Sequence, residues 1–186
     1  MAIADRRLTL EEFLALPEEK PALELLDGVV RQKVAPQWLH SRFQYGFAER
    51  INRFAEPRKL ASAFPELREA SGRDSLVPDL AVYRWERIPR TATGRLVNAA
   101  PTPPDIAIEI RSPGQRLGDL IDKCRRYLTH GAQLGFVVDP NGETVTRVAP
   151  EGSPTTLRGD DRIDLGPVLP DFELTVRDLF ATLHLV

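Results

Sequence analysis

The feature that most constrains this chain is an apolar run, DIAIEI at residues 105–110, followed by a helix-patterned segment and a second apolar run, LGFVVDP at 134–140. Near-continuous apolar runs of this length mark strands buried on both faces, since half-exposed strands alternate. Between them Leu117, Leu120, Ile121, Cys124 and Leu128 recur at three- and four-residue spacing. A helix beginning around Gln115 is therefore expected, with Gly131 as its stop. Strand, helix and strand in that order make a crossover unit with two parallel strands.

The flanking segments make the sheet mixed. ALELLDGVVRQKV at 22–34 reads as a hairpin turning at Asp27-Gly28, with Glu24 on its first strand. KLASAFPELREA and SLVPDLAVYR read as two strands joined by the polar turn SGRD. ETVTRVA at 143–149 alternates in polarity and is expected as an edge partner of the second buried strand. Before the first hairpin, Thr9 and Glu12 have the spacing of a capping box for a short helix from Leu10 to about Leu16. The end of the chain, LPDFELTVRDLF, fits a strand or turn followed by a short helix. The expected fold class is α/β, a mixed central β-sheet flanked by helices, in one domain over residues 1–186, with no repeat or linker to divide it.

From Pro36 to Phe54, Trp38, Leu39, Phe43, Phe47, Ile51 and Phe54 predict a long amphipathic helix whose aromatics pack in the core. His40 lies one step off this stripe and is either a capping or surface group or a member of a site. Residues 84–104 lack periodicity and are expected as a long loop. Its arginines Arg84, Arg87, Arg90 and Arg95 either meet a polyanion or belong to a solvated segment.

With 42% hydrophobic and 28% charged residues, the composition is that of an ordinary soluble globular protein. A net charge of −2 argues against a passive nucleic-acid coat, though not against an enzyme with a local cationic cleft or a bound metal. The single cysteine, Cys124, excludes an internal disulfide and a multi-cysteine zinc site. Neither a leader-like apolar core near the N-terminus nor a membrane-length apolar run is present, so a cytoplasmic location is expected. Lysine is confined to Lys20, Lys33, Lys59 and Lys123, which raises the interest of any lysine near a candidate site.

Three residues suggest chemistry. Asp79 follows Pro78 in LVPDLAVY, Glu109 closes the first buried strand, and Lys123 sits on the crossover helix roughly 120° from the centre of its apolar stripe. From that shoulder it could reach a strand end. Two carboxylates, with the carbonyl of Ile110 as a third ligand, suit Mg²⁺ or Mn²⁺, hard cations that take oxygen donors and keep several waters. Such a metal would polarise a phosphoryl oxygen, and Lys123 would offset the charge that grows in the transition state. In the plainer alternative Asp79 caps a turn, Glu109 ends its strand in solvent, and Lys123 pairs with Asp119 one helical turn away.

An ordered series spans nearly the whole chain: ELLDG at 24–28, His40 opening a helix, FPELR at 64–68, LVPDLAVY at 76–83, PDIAIEIRSP at 104–113, Asp119, Lys123, Tyr127, Gly131 and VVDP at 137–140. It resembles the Uma-type family of restriction-endonuclease-like proteins, within the PD-(D/E)XK nuclease superfamily. The resemblance implies a restriction-endonuclease-like fold with Asp79 and Glu109 as metal-binding acids and Glu24 as a further ligand, direct or through water. Arg111 stands where the superfamily pattern has lysine, and in the Uma-type pattern that lysine has moved to the next helix, matching Lys123. LGF before VVDP also departs from the family's Glu-Tyr-Trp-like run. The expected activity is Mg²⁺-dependent hydrolysis of DNA phosphodiesters, with a homodimer plausible because a duplex has two strands to cut. The rival is a non-catalytic nucleic-acid or protein-binding module, or a remnant with neither activity.

Overall fold

The computed structural model describes residues 7–184; the first six residues, part of the stretch read for a leader, lie outside them. Among the described residues, ten strands form two sheets. β1 (Leu23–Leu26), β2 (Val29–Gln32), β4 (Glu69–Ser71) and β5 (Asp74–Leu76) make a four-stranded antiparallel sheet in the order β2-β1-β5-β4. β3 (Ala61–Pro65), β6 (Leu80–Arg84), β7 (Ile106–Ile110), β8 (Leu134–Asp139), β9 (Thr144–Val148) and β10 (Thr155–Arg158) make the second, ordered β10-β9-β8-β7-β6-β3. Within it only β7 and β8 are parallel, so the sheet is mixed.

The helices are α1 (Leu10–Leu14), α2 (Trp38–Ala55), α3 (Leu117–Thr129) and α4 (Val176–Ala181). Capping boxes at Thr9–Glu12 and Thr175–Asp178 start α1 and α4, each satisfying free N–H groups on both sides of the cap. α3 is the crossover between β7 and β8, begun at Leu117 and followed by Gly131 at φ 112°, a left-handed conformation that favours glycine.

Two expected strands are each divided. Residues 75–84 do not form one strand: β5 ends at Leu76 in the small sheet and β6 begins at Leu80 in the large one. Pro78 between them has no N–H, so a ladder cannot run through it. Residues 59–70 divide likewise into β3 and β4, with Glu66 at φ 48° between them. The hairpin at SGRD therefore joins only the short strands β4 and β5. A further correction concerns β9, which is interior; β10 covers it and forms the edge.

Alternation along β7 decides what faces where. Ile106, Ile108 and Ile110 join Phe43, Phe47 and Ile51 of α2 and Leu179 and Phe180 of α4 in the main core. Each large apolar side chain buried there contributes about 1.5–3 kcal/mol. Ala107 packs with Tyr127 of α3 on the other face, so Glu109, two residues on, also looks toward α3. The stripe expected for α2 holds at Phe43, Phe47 and Ile51 but fails at its start. Trp38 is 93% exposed and Leu39 48%, because at 100° per residue Trp38 lies opposite the Phe47 direction.

α3 lies close over β8. A Cβ placed on Gly135 would stand 2.7 Å from the Cβ of Cys124, nearer than side chains approach, so the missing side chain is what lets the helix settle there. The LGF departure from the family pattern thus coincides with the close approach that positions Lys123.

Candidate active site

Asp79 sits at the junction of the two sheets, where the backbone has no ladder partner and side chains take over. The Val77 N–H donates to Glu24 Oε1 at 2.7 Å. The Val77 carbonyl accepts from Lys33 Nζ at 2.9 Å and from Lys123 Nζ at 3.5 Å. The Asp79 carbonyl accepts from Gln44 Nε2 and the Glu66 N–H. Residues from β1, α2 and α3 and from the segment just after β2 are thereby drawn to one point by the bonding needs of a segment that Pro78 removed from the sheet.

The Asp79 carboxylate is 2% exposed and fully engaged. Lys33 Nζ lies 2.6 Å from Oδ1, while Oδ2 faces His40 Nε2 at 3.0 Å and accepts the Ile110 N–H at 2.7 Å. Burial alone would raise its pKa, but Lys33, the His40 hydrogen bond and Lys123 outweigh that and hold it well below the usual carboxylate range.

Glu109 is the second acid. Its Oε1 accepts from Lys123 Nζ at 2.9 Å and from the Tyr127 hydroxyl at 2.8 Å. Burial pushes this carboxyl up from 4.5 to about 7; Lys123 pulls it down, and the Asp79 charge pushes it up again. Lys123 also lies 2.8 Å from Glu24 Oε1. Burial disfavours its charge, yet the carboxylates of Glu109, Glu24 and Asp79 prevail and keep it protonated well above the ordinary lysine range. Its partners are therefore Glu24 and Glu109, with no pair to Asp119.

A cavity of about 530 Å³ collects Glu24, Asp79, Glu109, Ile110, Lys33 and Lys123, with His40 in its wall. Every residue proposed from sequence for catalysis or metal binding thus lines one space. Lys33 was missed: it follows an alternating strand, and nothing local marks it except the scarcity of lysine. Tyr127 and Gln44 carry no sequence signal beyond helical spacing, although Tyr127 belongs to the family series.

Arg111 does not enter this space. Its guanidinium lies 2.8 Å from Asp139 Oδ2 and its Nε donates to the Gln115 carbonyl, since β7 has ended at Ile110 and the chain turns aside. The loop at 84–104 also stays clear, and none of its residues lines the cavity. Arg84 and Arg87 are tied to Asp105, and Arg90 stacks on Trp85 with its guanidinium carbon 4.4 Å from the ring centroid. These three are therefore structural rather than poised for a polyanion.

As the side chains stand, no group of three or more His, Cys, Asp or Glu residues among the described residues is arranged as a metal centre. The donor set nevertheless suits a hard cation, since Asp79, Glu109 and Glu24 offer carboxylate oxygens to one space. Lys33 and Lys123 occupy the oxygens that such a cation would share.

Comparison with protein families matches residues 10–177 to Uma2, described as "Putative restriction endonuclease". The chain belongs to the Uma2 family. It is also similar to a solved structure from Anabaena variabilis ATCC 29413, described as a "putative nuclease belonging to DUF820". The two share 36% identity over 95% of this chain and 99% of that one, with a TM-score of 0.89. No curated protein matches. This Uma2 chain therefore has a restriction-endonuclease-like fold, and no helix among its described residues is long and apolar enough to cross a membrane.

Proposed function

We propose that this Uma2-family chain is a Mg²⁺- or Mn²⁺-dependent endonuclease that hydrolyses DNA phosphodiesters. The observation that carries the reading is the convergence of Asp79, Glu109 and Glu24 with the ammonium of Lys123 in one cavity. Asp79, Glu109 and Glu24, with Ile110 beside them, would hold the cation, which supplies Lewis acidity and an acidified water when bound.

The chain's own residues have separate tasks. Lys123, kept charged by its carboxylate neighbours, stands ready to offset the negative charge that grows on the phosphate. Glu109 would present its carboxylate to the cation from the end of β7. His40 and the Ile110 N–H fix the Asp79 carboxylate, and Tyr127 fixes that of Glu109.

One observation favours a second reading, a nucleic-acid-binding module without turnover: both oxygens of Asp79 are already satisfied by Lys33, His40 and a backbone N–H. Cleavage of plasmid, single-stranded and structured DNA with Mg²⁺ or Mn²⁺, in the wild type, Asp79→Ala and Lys123→Ala, separates the two. Loss of cleavage in both variants supports the enzyme. Salt-dependent binding without turnover, and no metal-induced rise in melting temperature, supports the module. Equal residual cleavage in all three sinks the enzymatic assignment.

A further inference from the structure

Trp38 was expected in the core and is instead the most exposed of the large apolar residues among those described, at 93%. It opens α2, and with Leu39 it lines a cleft of about 240 Å³ whose other walls include His40, Arg111 and Ser112. His40 and Ser112 also line the cavity that holds Asp79 and Glu109, so the two spaces share a wall. Val34 and Tyr45, on either side of Trp38 in the sequence, are also exposed, at 46% and 64%. On the rim of the larger cavity stand Arg31 and Arg116, both exposed and neither ion-paired among the described residues.

We propose that Trp38 is a stacking platform for an unpaired base beside the scissile phosphate, so that the substrate of this site is single-stranded DNA or an unpaired stretch within a duplex. The inference rests on the nuclease reading and deepens it. An indole binds a base only where the base face is free, as in a single strand, since inside a duplex each face is covered by its neighbour. Free guanidinium groups beside the carboxylate cavity complement the phosphates on either side of such a base. Another protein is the weaker occupant. A buried aromatic supplies about 150–250 Å² and a stable interface needs roughly 1,200–2,000 Å², so this small cluster falls short.

The chain has two tryptophans, Trp38 and Trp85. In a Trp85→Phe background the emission reports on Trp38 alone, and EDTA keeps the measurement free of cleavage. Titration with a short oligodeoxythymidylate should quench this emission, and Trp38→Ala should weaken its binding on the order of tenfold, with Trp38→Phe in between. The same measurements on wild-type protein by anisotropy of a labelled oligonucleotide guard against a defect from Trp85→Phe. A fully paired duplex should bind more weakly and be indifferent to Trp38→Ala.

Equal single-strand affinity in wild type and Trp38→Ala, or unquenched emission at saturation, overturns the proposal. So does a Trp38→Ala effect confined to self-association, measured by sedimentation, because the face would then join copies of the chain. Quenching and a Trp38→Ala defect in a protein that never cleaves would keep the platform and remove the nuclease. Cleavage with unaltered binding in Trp38→Ala would do the reverse.

Discussion

The Nζ of Lys123 lies 2.9 Å from Oε1 of Glu109, joining the middle of α3 to the end of β7 in a setting where both side chains are nearly excluded from solvent. Removing one member of a buried pair strands the charge of the other, at a cost of about 3–5 kcal/mol. Lys123→Met should therefore destabilise the fold by that order in urea denaturation. Lys123→Met combined with Glu109→Gln should recover part of the loss while cleavage stays abolished. Full additivity of the two substitutions would deny the coupling.

Glu109 gives a pH signature of its own. Its folded pKa is raised from 4.5 to about 7, so the folded state favours the protonated carboxyl. Its stabilising contribution is complete below about pH 4.5 and disappears as pH rises through 7. Glu109→Gln keeps a neutral side chain throughout, so its melting temperature relative to wild type should climb between pH 5 and pH 8. A difference that stays flat, or falls, over that range contradicts the raised pKa.

Much of this site was legible before the structure. The apolar run ending in Glu109 and the helical stripe that leaves Lys123 on its shoulder are strong periodic signals, and period-two alternation fixes which side of β7 Glu109 takes. What escaped the sequence was non-local. The Pro78 signal was visible, but the strand breaks at 66–68 and 77–79 depend on which sheet each half joins, and propensity does not encode that choice. Lys33 becomes part of the site only when Asp79 is carried onto it from the other sheet. Trp38 misled because three- and four-residue steps accumulate angle, and nine residues before Phe47 it has come round to the opposite side of α2.

Lys33 holds Asp79 Oδ1 at 2.6 Å, and a divalent cation at this carboxylate has to share it with that ammonium. Lys33→Met removes the competing charge. Its Mn²⁺ affinity, followed by thermal shift across a metal titration, should rise on the order of tenfold, equivalent to ~1.4 kcal/mol. The metal-free fold should lose stability, because Asp79 remains buried with less compensation. Unchanged or weaker Mn²⁺ affinity would place the cation away from Asp79.

A second buried network stiffens the junction between α3 and the small sheet. His130, the residue after α3, lies 2.9 Å from Glu69 Oε1 through Nδ1 and 3.2 Å from Asp74 Oδ2 through Nε2. Arg126 binds Asp74 from the helix side and pairs with Asp27 in the first hairpin's turn. Only the imidazolium can donate to both carboxylates at once. Burial lowers the His130 pKa, but Glu69 and Asp74 reverse this and leave it raised. The stability it adds is therefore complete below the unfolded pKa near 6.5 and fades as pH rises through the folded value. His130→Gln should cost the most at pH 5.5 and progressively less toward pH 9, read as the melting-temperature gap from wild type.

Gly135 tests whether the position of α3 sets the site. Its Cα faces the Cys124 side chain so closely that a methyl group would meet the Cys124 Cβ at 2.7 Å, and Lys123 is the adjacent residue. Gly135→Ala must push α3 outward or tilt it, with an overpacking cost of about 1–3 kcal/mol. Because Lys123 bridges Glu24 and Glu109 at 2.8 and 2.9 Å, even a small shift lengthens charge-assisted bonds whose strength depends on that distance. The variant should fold at lower temperature yet lose disproportionate activity. Cys124→Gly added to Gly135→Ala removes the Cβ that the new methyl would meet and should restore activity, with the stability returning less the ~1 kcal/mol that a glycine costs inside a helix. Failure of that second substitution to restore activity, in a protein whose stability has returned, would show that the contact does not govern the placement of Lys123.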